Sequence, residues 1–305
     1  MIMDDDAPPR VRIGVCVLPE RPWAQSADLW RRIEGLGADH AWTYDHLVWG
    51  GLPDSPWHST MPTLAAAATV TERMGLGTFV ASPNFRHPAL LAKDAVTLDD
   101  LTGGRFLLGL GAGGDLDSGL LGTSPPRAER TRRFAEFTGL LDRLLTEDHT
   151  RHDGEFYTVT GARLLPGCVQ QPRVPFLVAA NGPRGMRVAA TRGESWVTTG
   201  PQRGPAPGRA DDVHTQLEQW WEGVAGLTAR LTEVEAAVRP PGHAPLGRVL
   251  SLDAAGPAAL SDAGFAREQV ARAGELGFTD VIVHWPRAAD PYRGSEAALE
   301  QLLAG

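Results

Sequence analysis

One stretch constrains the fold of this chain more than any other: GLGTFVASPNFRHPALLAKDAVTLDDLTGGRFLLGLGAGG, from Gly75 to Gly114. An apolar run is followed by a helical pattern opened by Pro88, a second apolar run and a cluster of glycines. This is strand, helix, strand, and then a turn whose free amides can meet an anion.

The same rhythm runs through the 305 residues. Short apolar, β-branched runs occur at 12–18, 40–46, 75–82, 105–111, 174–180, 195–200, 248–253 and 280–285. Most are continuously apolar, as strands buried on both faces of a parallel sheet must be. Helical patterns lie between them at 24–36, 63–74, 88–103, from Pro125 onward, and at 183–192, 212–238, 262–276 and 293–303. Gly37 and Gly277 stand where helices should stop. Eight alternations predict a (β/α)8 TIM barrel with insertions, a single domain over 1–305, with an open Rossmann-like sheet as the alternative. Residues 151–173 read as a hairpin or irregular insertion. Residues 200–211, rich in Gly and Pro, read as a candidate lid over a strand end.

Composition narrows the function. A formal net charge of −8 argues against nucleic-acid binding, which needs clustered cations. Two distant cysteines, Cys16 and Cys168, suggest neither a disulfide framework nor a metal site. The histidines lack metal-ligand spacing, so no metal is expected. No leader and no membrane-length apolar run is read, so a cytoplasmic location is expected. Neither a G-x-S-x-G elbow nor a G-x-x-x-x-G-K-[ST] loop is present. Asp99 and Asp100 fall inside a helix and read as surface or capping groups. Apolar helix faces allow a homodimer.

In a βα barrel the chemistry sits at the strand C-termini. The strand-end residues are Asp45, His46 and Trp49; Ser82, Asn84 and Arg86; Gly111, Ala112, Gly113, Gly114 and Asp115; Asn181, Gly182 and Pro183; Thr198, Thr199 and Gly200; and His284 with Trp285. A histidine beside a carboxylate, several aromatics and amide-rich turns together favour a phosphorylated planar cofactor. GLGAGG is not the dinucleotide fingerprint.

These motifs, in this order, resemble the luciferase-like monooxygenase superfamily, and above all its coenzyme F420-dependent branch. YDHLVW at 44–49 is similar to the Asp-His…Trp segment after the second strand. TFVASPNFRHP at 78–88, LTGGRFLLGLGAGG at 101–114, AANGPRG at 179–185 and SWVTTG at 195–200 match the later motifs. The resemblance implies an oxidoreductase that binds coenzyme F420, or FMN, at the barrel's C-terminal face. A small organic substrate would exchange a hydride with the deazaflavin. The FMN alternative is a monooxygenase that uses oxygen and a separate flavin reductase. A non-catalytic flavin-binding protein is the second alternative.

Carried over residue by residue, the resemblance assigns His46 to proton handling and Trp49 to the substrate side. Asp45 would line the cofactor. Phe79, Val80 and Ala81 would carry a non-proline cis peptide at Phe79–Val80, or else at Ala81–Ser82, that backs the ring. Gly111, Ala112 and Gly113 would approach the cofactor, and Asn181, Gly182, Pro183, Thr198, Thr199 and Gly200 would form the phosphate turns. Gly114 stands where the sugar-phosphate dehydrogenases carry a Glu, with Asp115 next to it, and their substrate-phosphate lysine near Gly200 is missing.

Overall fold

The computed structural model describes residues 10–201, 213–255 and 258–305. Strands β1 (Arg12–Cys16), β2 (His40–Thr43), β3 (Gly75–Thr78) and β4 (Phe106–Gly111) are joined by helical crossovers, and all eight expected barrel strands form. After β4 come an antiparallel hairpin of β5 (Thr150–Asp153) and β6 (Thr158–Ala162), then β7 (Phe176–Ala179), β8 (Ser195–Thr198), β9 (Gly247–Ser251) and β10 (Asp280–His284). The parallel strands close in the order β1-β10-β9-β8-β7-β4-β3-β2. The sheet is therefore a barrel, not the open Rossmann-like alternative. The hairpin fills the expected insertion.

The helices are α1 (Trp23–Gly35), α2 (Thr60–Ala68), α3 (Pro88–Leu101), α4 (Leu116–Leu120), α5 (Arg127–Thr146), α6 (Pro183–Arg192), α7 (Val213–Val238), α8 (Ala263–Glu275) and α9 (Glu296–Leu303). Gly37 and Gly277 follow α1 and α8 with φ of 90° and 80°, a left-handed conformation that a side chain would strain. Their placement matches the sequence reading.

Four details differ from it. Helix α2 ends at Ala68, because the Glu34 carboxylate on α1 accepts from the amides of Glu72, Arg73 and Met74 and holds the following residues as a turn. Helix α9 starts at Glu296, because Ser295 caps it by accepting from Ala298 N. The short α4 carries no periodicity long enough to be read. Asp99 is not a surface group: it is fully buried and accepts from Gln170 N at 3.0 Å and Gln170 Nε2 at 2.7 Å, pinning the insertion to α3.

Two layers of core hold the barrel. The larger lies between strands and helices, around Trp30, Leu64, Phe106, Phe137 and Trp221. The smaller fills the barrel, around Cys16, Trp42, Leu177, Val249 and Ile282. Trp42 spans that interior and donates from Nε1 to His40 Nδ1 at 2.6 Å. His40 Nε2 is thereby the protonated nitrogen, and it donates to Asp280 Oδ1 at 2.9 Å. This polar floor needs space: a Cβ at Gly14 would run into His40, and one at Gly77 into Trp42. Burial alone would raise the Asp280 pKa, but the bonds from His40 and Thr279 outweigh it and hold the carboxyl below its ordinary value.

Candidate active site

All eight barrel strands are parallel, so their C-terminal ends share one rim. Topology alone therefore gathers the candidate residues after β2, β3, β4, β7, β8 and β10 at one end of the barrel.

The rim is shaped first by the exit of β3. Pairing with β4 stops at Gly77 and resumes at Ala81, which donates to Gly109 O at 2.8 Å and accepts from Gly111 N at 2.9 Å. Phe79 and Val80 bulge between, and their peptide bond is cis, at the first of the two expected positions. Glycine is required opposite: a Cβ on Gly109 would run into the Thr78 carbonyl oxygen, and one on Gly111 into the Val80 side chain.

Asp45 and His46 then part company. Asp45 is almost fully buried, and Arg86 grips it with two bonds of 2.6 and 3.0 Å. This bidentate pair neutralises both charges below the rim. His46 is part-exposed, with its Nδ1 2.7 Å from Oδ2 of the buried Asp117; Asp117 Oδ1 accepts from Leu47 N at 2.8 Å. A carboxylate there makes Nδ1 the protonated nitrogen of the neutral ring and leaves Nε2 as the free base. Asp115, which stands beside the family's acidic position, is exposed and ion-paired with Arg130.

Beside His46 lies a continuous aromatic wall. The Tyr44 ring lies 5.9 Å from His46, 5.4 Å from Trp49, 6.0 Å from Phe79 and 5.4 Å from His284. Trp49 stacks on Tyr292 at 5.6 Å and on Trp57 at 6.2 Å, and Tyr292 stacks on His284 at 3.5 Å. Hydrogen bonds thread the same rings. Asp253 Oδ2 lies 2.8 Å from His284 Nδ1, His284 Nε2 lies 2.8 Å from the Tyr44 hydroxyl, and that hydroxyl lies 2.7 Å from the Tyr292 hydroxyl. The carboxylate sets the direction: His284 Nδ1–H donates to it, Tyr44 donates to Nε2, and Tyr292 donates to Tyr44. Burial pushes the ionisation of Tyr44 and Tyr292 well above that of an ordinary phenol, so both remain donors.

The opposite part of the rim is formed by the turns after β7 and β8. Asn181 Nδ2 donates to Gly200 O at 2.7 Å, and Thr198 donates to Asn181 Oδ1 at 2.6 Å while accepting from Gly200 N at 3.0 Å. Asn181 and Thr198 thus fasten the turns after β7 and β8 to one another. Helix α6 opens beside them at Gly182 and Pro183 with no side chain capping it, and its first main-chain bond runs from Met186 N to Gly182 O, so the amides before it have no partner within the helix. Free amides at a helix start favour a bound anion. Together with the bulge and the apolar Val80, and with Thr199 exposed nearby, these residues fit a flat, phosphorylated cofactor: 79–81 would meet its ring and the α6 start its phosphate.

The structure brings His46, Trp49, Phe79 and Val80 into one wall, and gathers Asn181, Gly182, Pro183, Thr198, Thr199 and Gly200 in the linked turns after β7 and β8. Gly113, with φ of 74°, lies against Asn84. The candidate lid lies outside the described residues beyond Pro201. Five groups escaped the sequence reading: Asp117, Tyr44, Trp57, Asp253 and Tyr292. Asp253 closes the 248–253 run and could have been found by the strand-end rule. Asp117 and Tyr292 sit on a short helix and a loop that carry no periodic signal. Among the described residues, no cluster of metal-binding side chains occurs and no helix is long and apolar enough to cross a membrane.

Comparison with known proteins gives one family and a uniform set of folds. The family model described as luciferase-like monooxygenase matches residues 10–240. The F420-dependent glucose-6-phosphate dehydrogenase of Nakamurella multipartita is 31% identical over 239 residues, covering 75% of this chain and 66% of that protein. The 4-hydroxyprotoasukamycin monooxygenase of Streptomyces nodosus subsp. asukaensis is 34% identical over 223 residues, covering 68% and 58%. The chain spans about half to two thirds of the length of the curated relatives it matches. Among solved structures, an F420-dependent secondary alcohol dehydrogenase holding an F420-acetone adduct superposes with a TM-score of 0.76 at 15% identity over 97% of this chain and 98% of the other. The coenzyme F420-dependent tetrahydromethanopterin reductase from Methanopyrus kandleri gives 0.72 at 17% identity, over 97% of each. At such identities the structures speak to the fold.

Proposed function

The chain belongs to the luciferase-like monooxygenase family, and we propose that it is an oxidoreductase that uses coenzyme F420 on a small organic substrate. The observation that carries this reading is His46, held through Nδ1 by the buried Asp117 at the edge of an aromatic wall. The F420-dependent names among its relatives support the cofactor.

When bound, the deazaflavin supplies the hydride acceptor or donor. The chain's own residues do the rest. The 79–81 bulge backs the flat ring. The α6 amides and Thr199 hold the phosphate. His46 Nε2 takes up the proton of an alcohol being oxidised, or returns it to a carbonyl being reduced, and Asp117 stabilises the imidazolium in either direction. Trp49, Trp57 and Tyr292 enclose the substrate and exclude water.

A sugar phosphate fits this rim poorly. The single lysine of the chain, Lys93, donates to Leu165 O. Arg86, Arg130 and Arg287 are neutralised by Asp45, Asp115 and Glu20. The aromatic wall suits an uncharged alcohol or carbonyl compound instead. The monooxygenase relative favours one other reading, FMN with oxygen and a partner reductase.

Fluorescence titration of the purified protein with F420 and with FMN separates the two readings. Saturable binding of F420 well below the FMN concentration needed is the expected result, followed by F420 bleaching with a simple secondary alcohol. Preferential FMN binding would replace the first reading by the second, and uptake of neither would end both.

A further inference from the structure

The loop after β10 holds a backbone outlier. Tyr292 has a φ of 66°, and among the described residues every other positive φ belongs to a glycine. For a bulky side chain this conformation is rare, and it persists only where the surroundings over-determine it. Such residues cluster at ligand clamps and active sites. Tyr292 is only half-buried, so packing of its own ring is a weak reason for an aromatic residue to stand where glycine would be at ease.

Two sets of contacts hold it there. On the barrel side, the Tyr292 ring lies 3.5 Å from the His284 ring and within 2° of parallel, and its hydroxyl donates to that of Tyr44 at 2.7 Å. On the loop side the bonds converge on Arg287. Its amide donates to Tyr292 O at 2.9 Å, and its carbonyl accepts from Gly294 N at 3.1 Å. Its Nη1 donates to Asp290 O at 3.2 Å and to Pro291 O at 3.1 Å. The other edge of the guanidinium faces Glu20, between β1 and α1, with Nε and Nη2 donating to its two carboxylate oxygens at 3.1 and 3.2 Å. The side chains of Arg287 and Glu20 are 18% and 17% exposed, so this pair is shielded as ordinary surface pairs are not. Holding a carboxylate on one edge and two carbonyls on the other needs a planar fork, which lysine lacks.

The ring so fixed also lies within 14° of parallel to Trp49, 5.6 Å away, and Trp49 stacks on Trp57. His284, Tyr292 and Trp49 therefore make one set of near-parallel rings beside Tyr44 and His46. A ring clamped from both the barrel and the loop does not swing aside for a bulky molecule.

We propose that Tyr292 sets the upper size of the substrate, favouring compact alcohols or ketones over aryl-substituted ones, and that Arg287 is the positioning residue that keeps its ring in place. This inference rests on the oxidoreductase reading above.

The test has two arms. The chain has three tyrosines, so protein labelled with 3-fluorotyrosine gives three 19F signals, with that of Tyr292 assigned by Tyr292→Phe. This arm needs neither cofactor nor turnover. In Arg287→Lys the Tyr292 signal should shift or broaden while that of Tyr157 stays in place. The second arm compares F420-linked oxidation of 2-propanol and of 4-phenyl-2-butanol. Tyr292→Ala should raise the ratio of kcat/KM for the larger alcohol to that for the smaller about tenfold or more, the scale on which pocket volume discriminates. Tyr292→Leu repeats the measurement should the alanine variant fold poorly. Arg287→Lys should move the ratio the same way, and through KM more than kcat. An unmoved Tyr292 signal in Arg287→Lys would overturn the positioning role. An unchanged ratio in the Tyr292 variants, or an equal loss for both alcohols, would overturn the size limit. If the parent protein turned over neither alcohol with F420, the oxidoreductase reading would fall and the size limit with it, while the 19F signals would still decide whether Arg287 holds the ring.

Discussion

The Tyr44 hydroxyl stands 2.8 Å from His284 Nε2 and 2.7 Å from the hydroxyl of Tyr292, so a strand residue and a loop residue are tied through one buried phenol. Asp253 anchors the far end of this chain. The arrangement fixes the tautomer of His284 and holds Tyr292 against Trp49, which is how the loop after β10 becomes part of the rim.

The first prediction concerns alkaline pH. The chain has three tyrosines, Tyr44, Tyr157 and Tyr292, and burial raises the pKa of each, for Tyr157 to about 12. In the unfolded chain they ionise near pH 10. A raised folded pKa stabilises the fold fully below the unfolded value and loses that contribution as pH rises toward the folded one. The folded protein should therefore show almost no tyrosinate absorbance at about pH 10.5, and the signal should emerge together with loss of near-UV dichroism. Gradual ionisation of a native-like protein around pH 10 would contradict the burial of these phenols.

Acid pH tests the barrel floor. The Asp280 pKa lies below its ordinary value, so its contribution to stability is present above about pH 4 and disappears as pH falls through the lowered value. Asp280→Asn should cost about 2–4 kcal/mol at neutral pH, because His40 and Arg12 lose a buried anionic partner. It should also flatten the decline in stability below about pH 4. Denaturant midpoints measured across that range read both effects.

His46 and Asp117 act as a pair. His46→Ala should lower F420-linked turnover about 100-fold or more while cofactor affinity changes little. In Asp117→Asn the Leu47 amide keeps the oxygen of the new side chain, so its NH2 group faces His46 Nδ1. The neutral imidazole then carries its proton on Nε2 and loses its free base. Turnover should drop about tenfold or more, with a displaced pH–rate profile. An unaltered profile in that variant would remove Asp117 from any role in positioning the ring.

Glycine at 109 is a steric necessity. A Cβ there meets the main-chain oxygen of Thr78, which cannot swing away as a side chain can. Gly109→Ala should destabilise the protein by about 2–3 kcal/mol and weaken cofactor binding through the displaced bulge. Gly114→Ala, where a Cβ meets nothing within 4 Å, should stay within about 0.5 kcal/mol of the parent. Thermal melts of the two variants side by side provide the comparison.

The eight apolar runs and the glycines and prolines between them were enough to specify a parallel barrel, because period and punctuation are local properties and a βα alternation has few ways to close. The same order of runs places His46, Trp49 and the turns after β7 and β8 on one rim, and a family resemblance locates the Phe79–Val80 bond. What tertiary structure alone decided is which carboxylate meets which base. Asp45 and His46 are neighbours in the chain, yet successive side chains of an extended segment diverge. Asp45 was captured by Arg86, and His46 found Asp117, 71 residues away. The Asp253–His284–Tyr44–Tyr292 chain likewise joins three segments that only barrel closure brings together. Partners of this kind depend on where a short helix or an aperiodic loop comes to rest. That is set by packing across the whole molecule, and no window of sequence contains it.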